Sequence, residues 1–273
     1  MSKSNLASPF ALILSLINNH ELLWELVKRD FFGRYKGSML GVVWSLFNPL
    51  LMLTIYTIVF SVAFKAKWGT TEESKVTFAI MLFSGMIIHS LFAECLNRSP
   101  SLITNHSNYV KKVVFPLEML PCMALLSAVL HFIVSFCVLL LFCFFAGMTI
   151  HIGIIFIPFI LLPLVLMTLG LSWIFASLGV YLRDLSQIMG VVTTVSLFLA
   201  PVFYPIEVLP SAYQSFLMWN PISLPVIQLR EIMFLDTPFK WFEWLVSLSV
   251  GILICIVGYW WFQKSRPGFA DVL

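Results

Sequence analysis

Long charge-free runs broken by short polar stretches set the plan of this chain. From Gly37 to Phe64 there is no Asp, Glu, Lys or Arg. A helix needs roughly 20 apolar residues to cross a hydrocarbon core about 30 Å thick, so this run predicts one membrane span with some tilt. Lys65 to Lys75, with Gly69-Thr70-Thr71-Glu72-Glu73, is a polar loop, and Val76–Ala93 predicts a second span that ends at Glu94. The 64 residues from Met119 to Leu182 carry no charge. As one helix they would measure about 96 Å, three bilayer cores, so they fold back, with the turn at Gly147–Gly153, to give spans three and four. Span five is predicted over about Leu185–Ile206 and span six over about Trp244–Gln263. Val208–Leu229 is also charge-free, but Pro210, Pro221 and Pro225, with Asn220 among them, argue against a continuous helix. Irregular backbone at membrane depth is tolerated only where protein or a water-filled cavity covers it. The segment therefore predicts a helical hairpin dipping back from the far face between spans five and six.

Before the first span, Ser8-Pro9 has the form of an N-cap followed by proline at the first helical position. Phe10, Ile13, Leu14 and Ile17 follow at helical spacing until Asn18-Asn19-His20 interrupts. A second segment sets Leu22, Leu23, Leu26 and Val27 on one side and Glu21, Glu25, Lys28 and Arg29 mostly on the other, with Glu25 and Arg29 at i,i+4. This pattern predicts an amphipathic helix lying in the cytoplasmic interface; an ordinary surface helix of a soluble cap is the alternative. The first apolar segment is short and precedes Asn-Asn-His-Glu rather than a small-residue cleavage site, so no signal peptide is expected and the N-terminus is placed in the cytoplasm.

Composition strengthens the membrane reading. The chain of 273 residues is 60% hydrophobic and 11% charged, with mean hydropathy +0.97. A soluble domain carries roughly 25% charged residues. With six spans and both ends cytoplasmic, eleven Lys and Arg fall inside and five outside, the asymmetry that orients membrane proteins. A seventh span would leave the totals unchanged, so the prolines decide for six. The result is an all-α membrane protein: a cytoplasmic interface helix over 1–36, a six-span domain over 37–264 and a cytoplasmic tail over 265–273. Within the six-span domain lie a polar loop at 97–115 and a re-entrant segment at 207–235.

The net charge of +3, without a basic block interleaved with aromatics, gives no sign of nucleic-acid binding. Cys95, Cys122, Cys137, Cys143 and Cys255 show no metal-ligand spacing and read as small buried hydrophobes. No metal site is expected. Catalytic constellations are scarce: no HExxH, GxSxG or GxxxxGK[ST] occurs. Glu94, Glu118, Asp184 and Glu207 sit at span ends on both sides of the membrane and cannot all serve one site, which weighs against a membrane transferase. His131 is the midspan group that invites a proton relay, but a neutral histidine bonded to a neighbouring helix is the simpler reading. Near-absence of charge within spans disfavours ion-coupled transport.

Two polar faces stand out. In span one Gly41, Ser45, Asn48, Met52 and Tyr56 recur at helical steps, as do Gln187, Gly190, Thr194, Phe198 and Pro201 in span five. Such a face packs against another helix or lines a hydrated path in which hydroxyls, amides and aromatic faces meet a sugar-like solute. In the loop 97–115, Ser99-Pro100 again has the form of a cap with proline at the first helical position, so Ser101–Asn108 predicts a short helix. It is either a solvated loop or a docking knob for a soluble motor, since this chain has no energy source of its own.

Three stretches, "RDFFGRYKGSMLGVVWSLFNPLLML", "KKVVFPLEMLP" and "PVFYPIEVLP…WNPIS", together resemble the permease subunits of type-2 ABC exporters for surface polysaccharides, and most of all those exporting O-antigen, related polysaccharides or teichoic acid. The resemblance covers nearly the whole chain. It implies a homodimer in the bacterial inner membrane, paired with two ATPase subunits that bind ATP and Mg, while this chain binds no cofactor. It also implies an undecaprenyl-linked polysaccharide as substrate. Carried over residue by residue, it implies a channel lined by Trp44, Asn48, Tyr56, Phe60, Phe198 and Tyr204, with Thr194 of the polar face beside them. ATPase docking is implied for Glu25, Arg29, Arg34, Ser99, Pro100, Asn105, Lys111 and Lys112, and a periplasmic gate for Pro210, Trp219 and Pro221. A drug or heme exporter of the same superfamily is the alternative reading.

Overall fold

The structure, a computed structural model, describes residues 9–59, 75–111, 115–148, 151–235 and 237–273. Phe60 and Lys112 lie outside the described residues. Every regular element among the described residues is a helix. Helices α1 (Pro9–Asn18) and α2 (His20–Gly33) break at Asn19, as the Asn-Asn-His interruption predicts. A 3-10 turn over Gly41–Val43 leads into α3 (Trp44–Ile58). Helix α4 (Lys75–Arg98) runs through a second 3-10 turn into two short helices, α5 (Leu102–Asn105) and α6 (Ser107–Lys111). Helix α7 (Met119–Phe145) and α8 (Ile157–Tyr181) fold back on one another, and the turn begins at Gly147, whose φ of 68° suits glycine.

Among the described residues, five stretches are long and apolar enough to cross a membrane: Gly41–Ile58, Val76–Asn105, Met119–Phe145, Ile152–Tyr181 and Trp241–Val272. The fifth predicted span differs. Its helix, α9 (Leu185–Leu199), has 15 residues, about 22 Å at 1.5 Å per residue, short of a full hydrocarbon core. Pro201 ends it: the residue before a proline is pushed out of the helical region, and Ala200 is extended at φ −94°, ψ 149°. Beyond the break come α10 (Ser211–Leu217), α11 (Ser223–Phe234) and α12 (Trp241–Ser265), so the prolines do divide 208–229 into short helices. A last turn carries the chain into α13 (Phe269–Val272).

Helix α4 forms the centre, with a nearly continuous buried run from Phe78 to Ile88, whereas α3 buries only Ser45 and Leu53. The tightest pairing is α8 against α12. Lipid tails are as apolar as leucine, so helices associate in a membrane by close backbone approach at small residues. A Cβ on Gly258 would stand 2.1 Å from the Gly170 carbonyl oxygen, and one on Gly251 would stand 2.7 Å from that of Pro163. Trp173, fully buried beside this seam, donates its indole N–H to the Glu118 carbonyl at 3.1 Å. Helix α2 sets Leu23, Leu26, Val27 and Phe31 inside, leaving Leu22, Trp24 and Phe32 outside. All five cysteines are free and all but Cys137 are buried, in keeping with their reading as small hydrophobes.

Candidate functional site

Helix periodicity builds the first polar centre. Asp30 and Arg34 stand one turn apart at the end of α2, and Glu94 and Arg98 one turn apart at the end of α4. The two helices meet there and the four charges close into a ring. Arg98 forks onto Asp30, with Nη2–Oδ1 at 2.5 Å and Nη1–Oδ2 at 3.0 Å, the bidentate geometry a planar guanidinium favours. Arg34 donates to Glu94, reaches Asp30 Oδ2 at 3.3 Å and donates to Ser127 Oγ of α7 at 3.3 Å. Arg98 also lies 3.4 Å from Glu94. Burial acts to raise the Asp30 carboxyl, but hydrogen bonds from Arg98 and Ser127 and the two guanidinium charges outweigh it and hold its pKa below the ordinary value. Two cations and two anions leave the ring neutral.

Above the ring, a cavity of about 240 Å³ lies between α3, α4 and α7. Arg34 and Glu94 close one end of it. Its walls mix hydroxyls and an amide (Ser45, Asn48, Ser90, Ser135) with Tyr35, Tyr56 and His131. The imidazole of His131 stacks on Phe31 at 4.6 Å, and its Nδ1 lies 3.4 Å from the Tyr35 hydroxyl. His131 was expected to bond a neighbouring helix; its Nδ1 instead meets Tyr35 in the turn after α2, and its buried Nε2 has no partner among the described residues.

A second centre holds the broken end of α9. Arg230 of α11 is 6% exposed. Its Nη1 donates to the Pro201 carbonyl and its Nη2 to that of Val202 at 2.8 Å. Nε and Nη2 donate to the Met81 carbonyl of α4 at 3.0 and 2.7 Å, and Nε also reaches Ser84 Oγ at 3.3 Å. Carbonyls left without partners where α9 stops are thereby satisfied from α11. Nearby, Asn220 and Ser196 exchange hydrogen bonds, with Asn220 Nδ2 donating to the Ser196 carbonyl at 2.7 Å and Ser196 Oγ donating to Asn220 Oδ1 at 3.1 Å. Of the residues read as a gate, Trp219 is 87% exposed and Pro210 is exposed. Trp219 and Pro221 line a groove of about 480 Å³ against Phe242 and Val246 of α12.

The residues read as a channel lining fall into two groups that this chain does not bring into one cavity. Asn48 and Tyr56 line the cavity above the ring, while Trp44 is exposed on α3. Thr194 and Phe198 are exposed on α9, where Thr194 Oγ1 donates back to the Gly190 carbonyl at 2.8 Å. The Tyr204 hydroxyl donates to the Phe198 carbonyl at 3.1 Å.

The docking residues also divide, and three expectations change. Glu25 pairs with Lys28 at 2.8 Å rather than with Arg29, whose Nη2 instead donates to the Tyr109 hydroxyl of α6 at 2.7 Å. Ser99 does not cap a helix: its hydroxyl donates back to the Cys95 carbonyl at 2.6 Å. Ser99 and Pro100 are buried rather than presented, because Pro100 packs on Gly179 of α8, where a Cβ would stand 2.0 Å from the Pro100 carbonyl oxygen. Asn105 and Lys111 are exposed, and the Lys111 ammonium donates to the Leu273 carbonyl of the C-terminal turn. Arg34 belongs to the ring. Sequence reasoning did not single out Asp30, Glu94 and Arg98 as partners, nor Arg230 as a clamp. The i,i+4 spacing of the ring residues was the available signal, but only the packing of α2 on α4 pairs them.

Helices of bilayer length, with polar groups gathered at helix ends and in a cavity between them, define an integral membrane protein. The chain belongs to the ABC-2 type transporter family, whose model matches residues 21–234. It is 27% identical over 254 residues to an O-antigen export system permease protein RfbA of Klebsiella pneumoniae, covering 93% of this chain and 95% of that one. To the O-antigen export system permease protein RfbA of Myxococcus xanthus it is 26% identical, over 95% and 98% of the two chains. A polysialic acid transport protein KpsM of Escherichia coli is 24% identical over 206 residues, 74% of this chain and 76% of the relative.

Proposed function

We propose that this chain is the transmembrane subunit of an ATP-driven exporter that moves an O-antigen-like, lipid-linked polysaccharide across the bacterial inner membrane. Two copies form the conduit, and two separate ATPase subunits bind ATP and Mg. The carrier is an undecaprenyl lipid. Both termini lie in the cytoplasm. Six spans result when α9 and the break after it count as the fifth, α2 lies as an amphipathic helix in the inner interface, and 207–235 re-enters the far face as a gate.

The observation that carries the substrate class is the near full-length similarity to O-antigen export permeases. The distribution of surface supports the assembly: α3 and α9 leave most of their residues outside, as helices do that meet a second copy. On the inner side, a groove of about 630 Å³ between α2 and α6 is lined by Leu22, Glu25, Lys28, Arg29, Phe32 and Tyr109, a mixture of apolar and charged groups suited to a protein partner. The Arg29–Tyr109 bond ties α2 to α6, so a push on this groove moves both. Because α2 also carries Asp30 and Arg34, such a movement reaches the charge ring directly.

The test is co-purification of the chain with an ABC ATPase subunit from the cells that express it, followed by identification of the co-purifying glycolipid. A lipid-linked polysaccharide is expected. A complex carrying only a small amphiphile would favour a drug or heme exporter.

A further inference from the structure

We propose that the cavity above the charge ring is a subsite for one uncharged sugar ring, held within a single protomer. The inference rests on the polysaccharide reading and adds to it a place of contact and a charge preference.

The first argument is electrostatic. Arg34 and Glu94 face the cavity, but each is already committed: Arg34 to Glu94, Asp30 and Ser127, and Glu94 to Arg34 and Arg98. The ring as a whole is neutral, so an anionic sugar entering the cavity would meet no uncompensated cation and would lose its hydration. The second argument is the mixture of groups. Sugars present apolar C–H faces and a rim of hydroxyls, and they are matched by aromatic faces set among donors and acceptors. Tyr35 and Tyr56 supply the former, Asn48, Ser90 and Ser135 the latter. The third is a further ring on the wall, His131, held in place by stacking on Phe31. The volume of about 240 Å³ holds a few waters or one pyranose, and no longer stretch of polymer.

The experiment uses the full chain in lipid nanodiscs and saturation-transfer NMR with methyl glycosides of neutral hexoses, against glucuronic acid as the charged comparison. Native protein is expected to transfer saturation to at least one neutral glycoside and at least fivefold less to glucuronic acid. Ser90→Leu, which fills the cavity, and Asn48→Ala, at an exposed position that tolerates truncation, are expected to remove most of the signal with unchanged melting temperature. No transfer to any neutral glycoside, equal transfer to the charged sugar, or full signal in both variants would overturn the subsite. Glycolipid transport by the reconstituted complex is measured in parallel. Intact native transport without monosaccharide binding removes the subsite alone, whereas a native complex that carries no polysaccharide removes the proposed function and the subsite with it.

Discussion

Replacing Arg230 with methionine tests whether a buried guanidinium holds the broken helix in place. The substitution keeps an unbranched, apolar side chain of similar length in a site where arginine is 6% exposed, and removes every donor. The Met81 carbonyl sits within α4 and retains its place in that helix. The Pro201 and Val202 carbonyls lie in the break after α9, where their bonds come from Arg230. A buried acceptor left without a partner costs about 1–3 kcal/mol, so the two together cost about 2–6 kcal/mol. Removing a buried cation returns part of its desolvation cost, and a net loss of about 2–4 kcal/mol is expected. For a chain of this size that corresponds to a fall of roughly 5–15 °C in apparent melting temperature, read by fluorescence-detected size exclusion in mild detergent. Gly85→Ala should reproduce the defect with residue 230 unchanged, because the added Cβ would stand 2.7 Å from Arg230 Nη2, with Val202 and Val226 side-chain methyls at 3.2 and 3.3 Å. Arg230→Lys, with a single nitrogen that cannot span carbonyls on two segments, should fall between. A methionine variant melting within about 2 °C of the native chain would refute the clamp.

Other parts of the structure make separate predictions. Gly258→Val forces α8 and α12 apart, since a Cβ there would overlap the Gly170 carbonyl, and should abolish stable expression; Gly190→Ala, whose Cβ meets nothing within 4 Å, should be silent in the same expression assay. Asp30→Asn removes the carboxylate on which Arg98 forks and should lower coupled export at least fivefold with insertion intact, measured by surface glycan in complemented cells. The pH dependence follows from the depressed Asp30 carboxyl. Its stabilising contribution is complete above the ordinary value of 3.8 and is lost as pH falls through the lower folded value. Melting curves should therefore show an acid loss below about pH 3.8 that is smaller in Asp30→Asn. Glu25→Lys on the α2 groove should reduce co-purification of the ATPase while leaving melting unchanged, because the Glu25–Lys28 pair is exposed and contributes little.

Much of the architecture was legible because membrane physics leaves few choices. Charge-free length predicted the first four spans and the last, and the three prolines between 208 and 229 predicted short helices there. The fifth span was read too long: hydropathy continues through Pro201-Val202-Phe203, but Pro201 stops the helix at Leu199, and a local dihedral restriction overrode a sound apolar pattern. One short helix over Ser101–Asn108 was expected after α4, capped by Ser99; the structure divides that stretch into a 3-10 turn over Ser99–Ser101, α5 and α6, and Ser99 is no cap. The Ser99 hydroxyl donates to the carbonyl of Cys95 one turn back instead of accepting from a backbone amide ahead of it. The site was less legible than the fold. Asp30, Arg34, Glu94 and Arg98 carry visible spacing, yet which carboxylate meets which guanidinium depends on how α2 crosses α4. Arg230 read as a loop cation outside the membrane, and its burial became visible only once α11 folded against α4 and the break. Asn48 and Tyr56 were singled out because a polar face on an apolar helix is costly without a purpose, and both stand on the wall of the cavity above the ring.

The central claim is that this chain forms the path and another protein supplies the energy. The most direct measurement is transport in proteoliposomes containing the chain with or without an ABC ATPase subunit, following protection of a labelled lipid-linked polysaccharide from an external glycosidase. ATP-dependent protection with both proteins present, and neither protection nor ATP hydrolysis with the chain alone, is the predicted result. Polysaccharide movement without the ATPase, or ATP hydrolysis by this chain alone, would contradict the account.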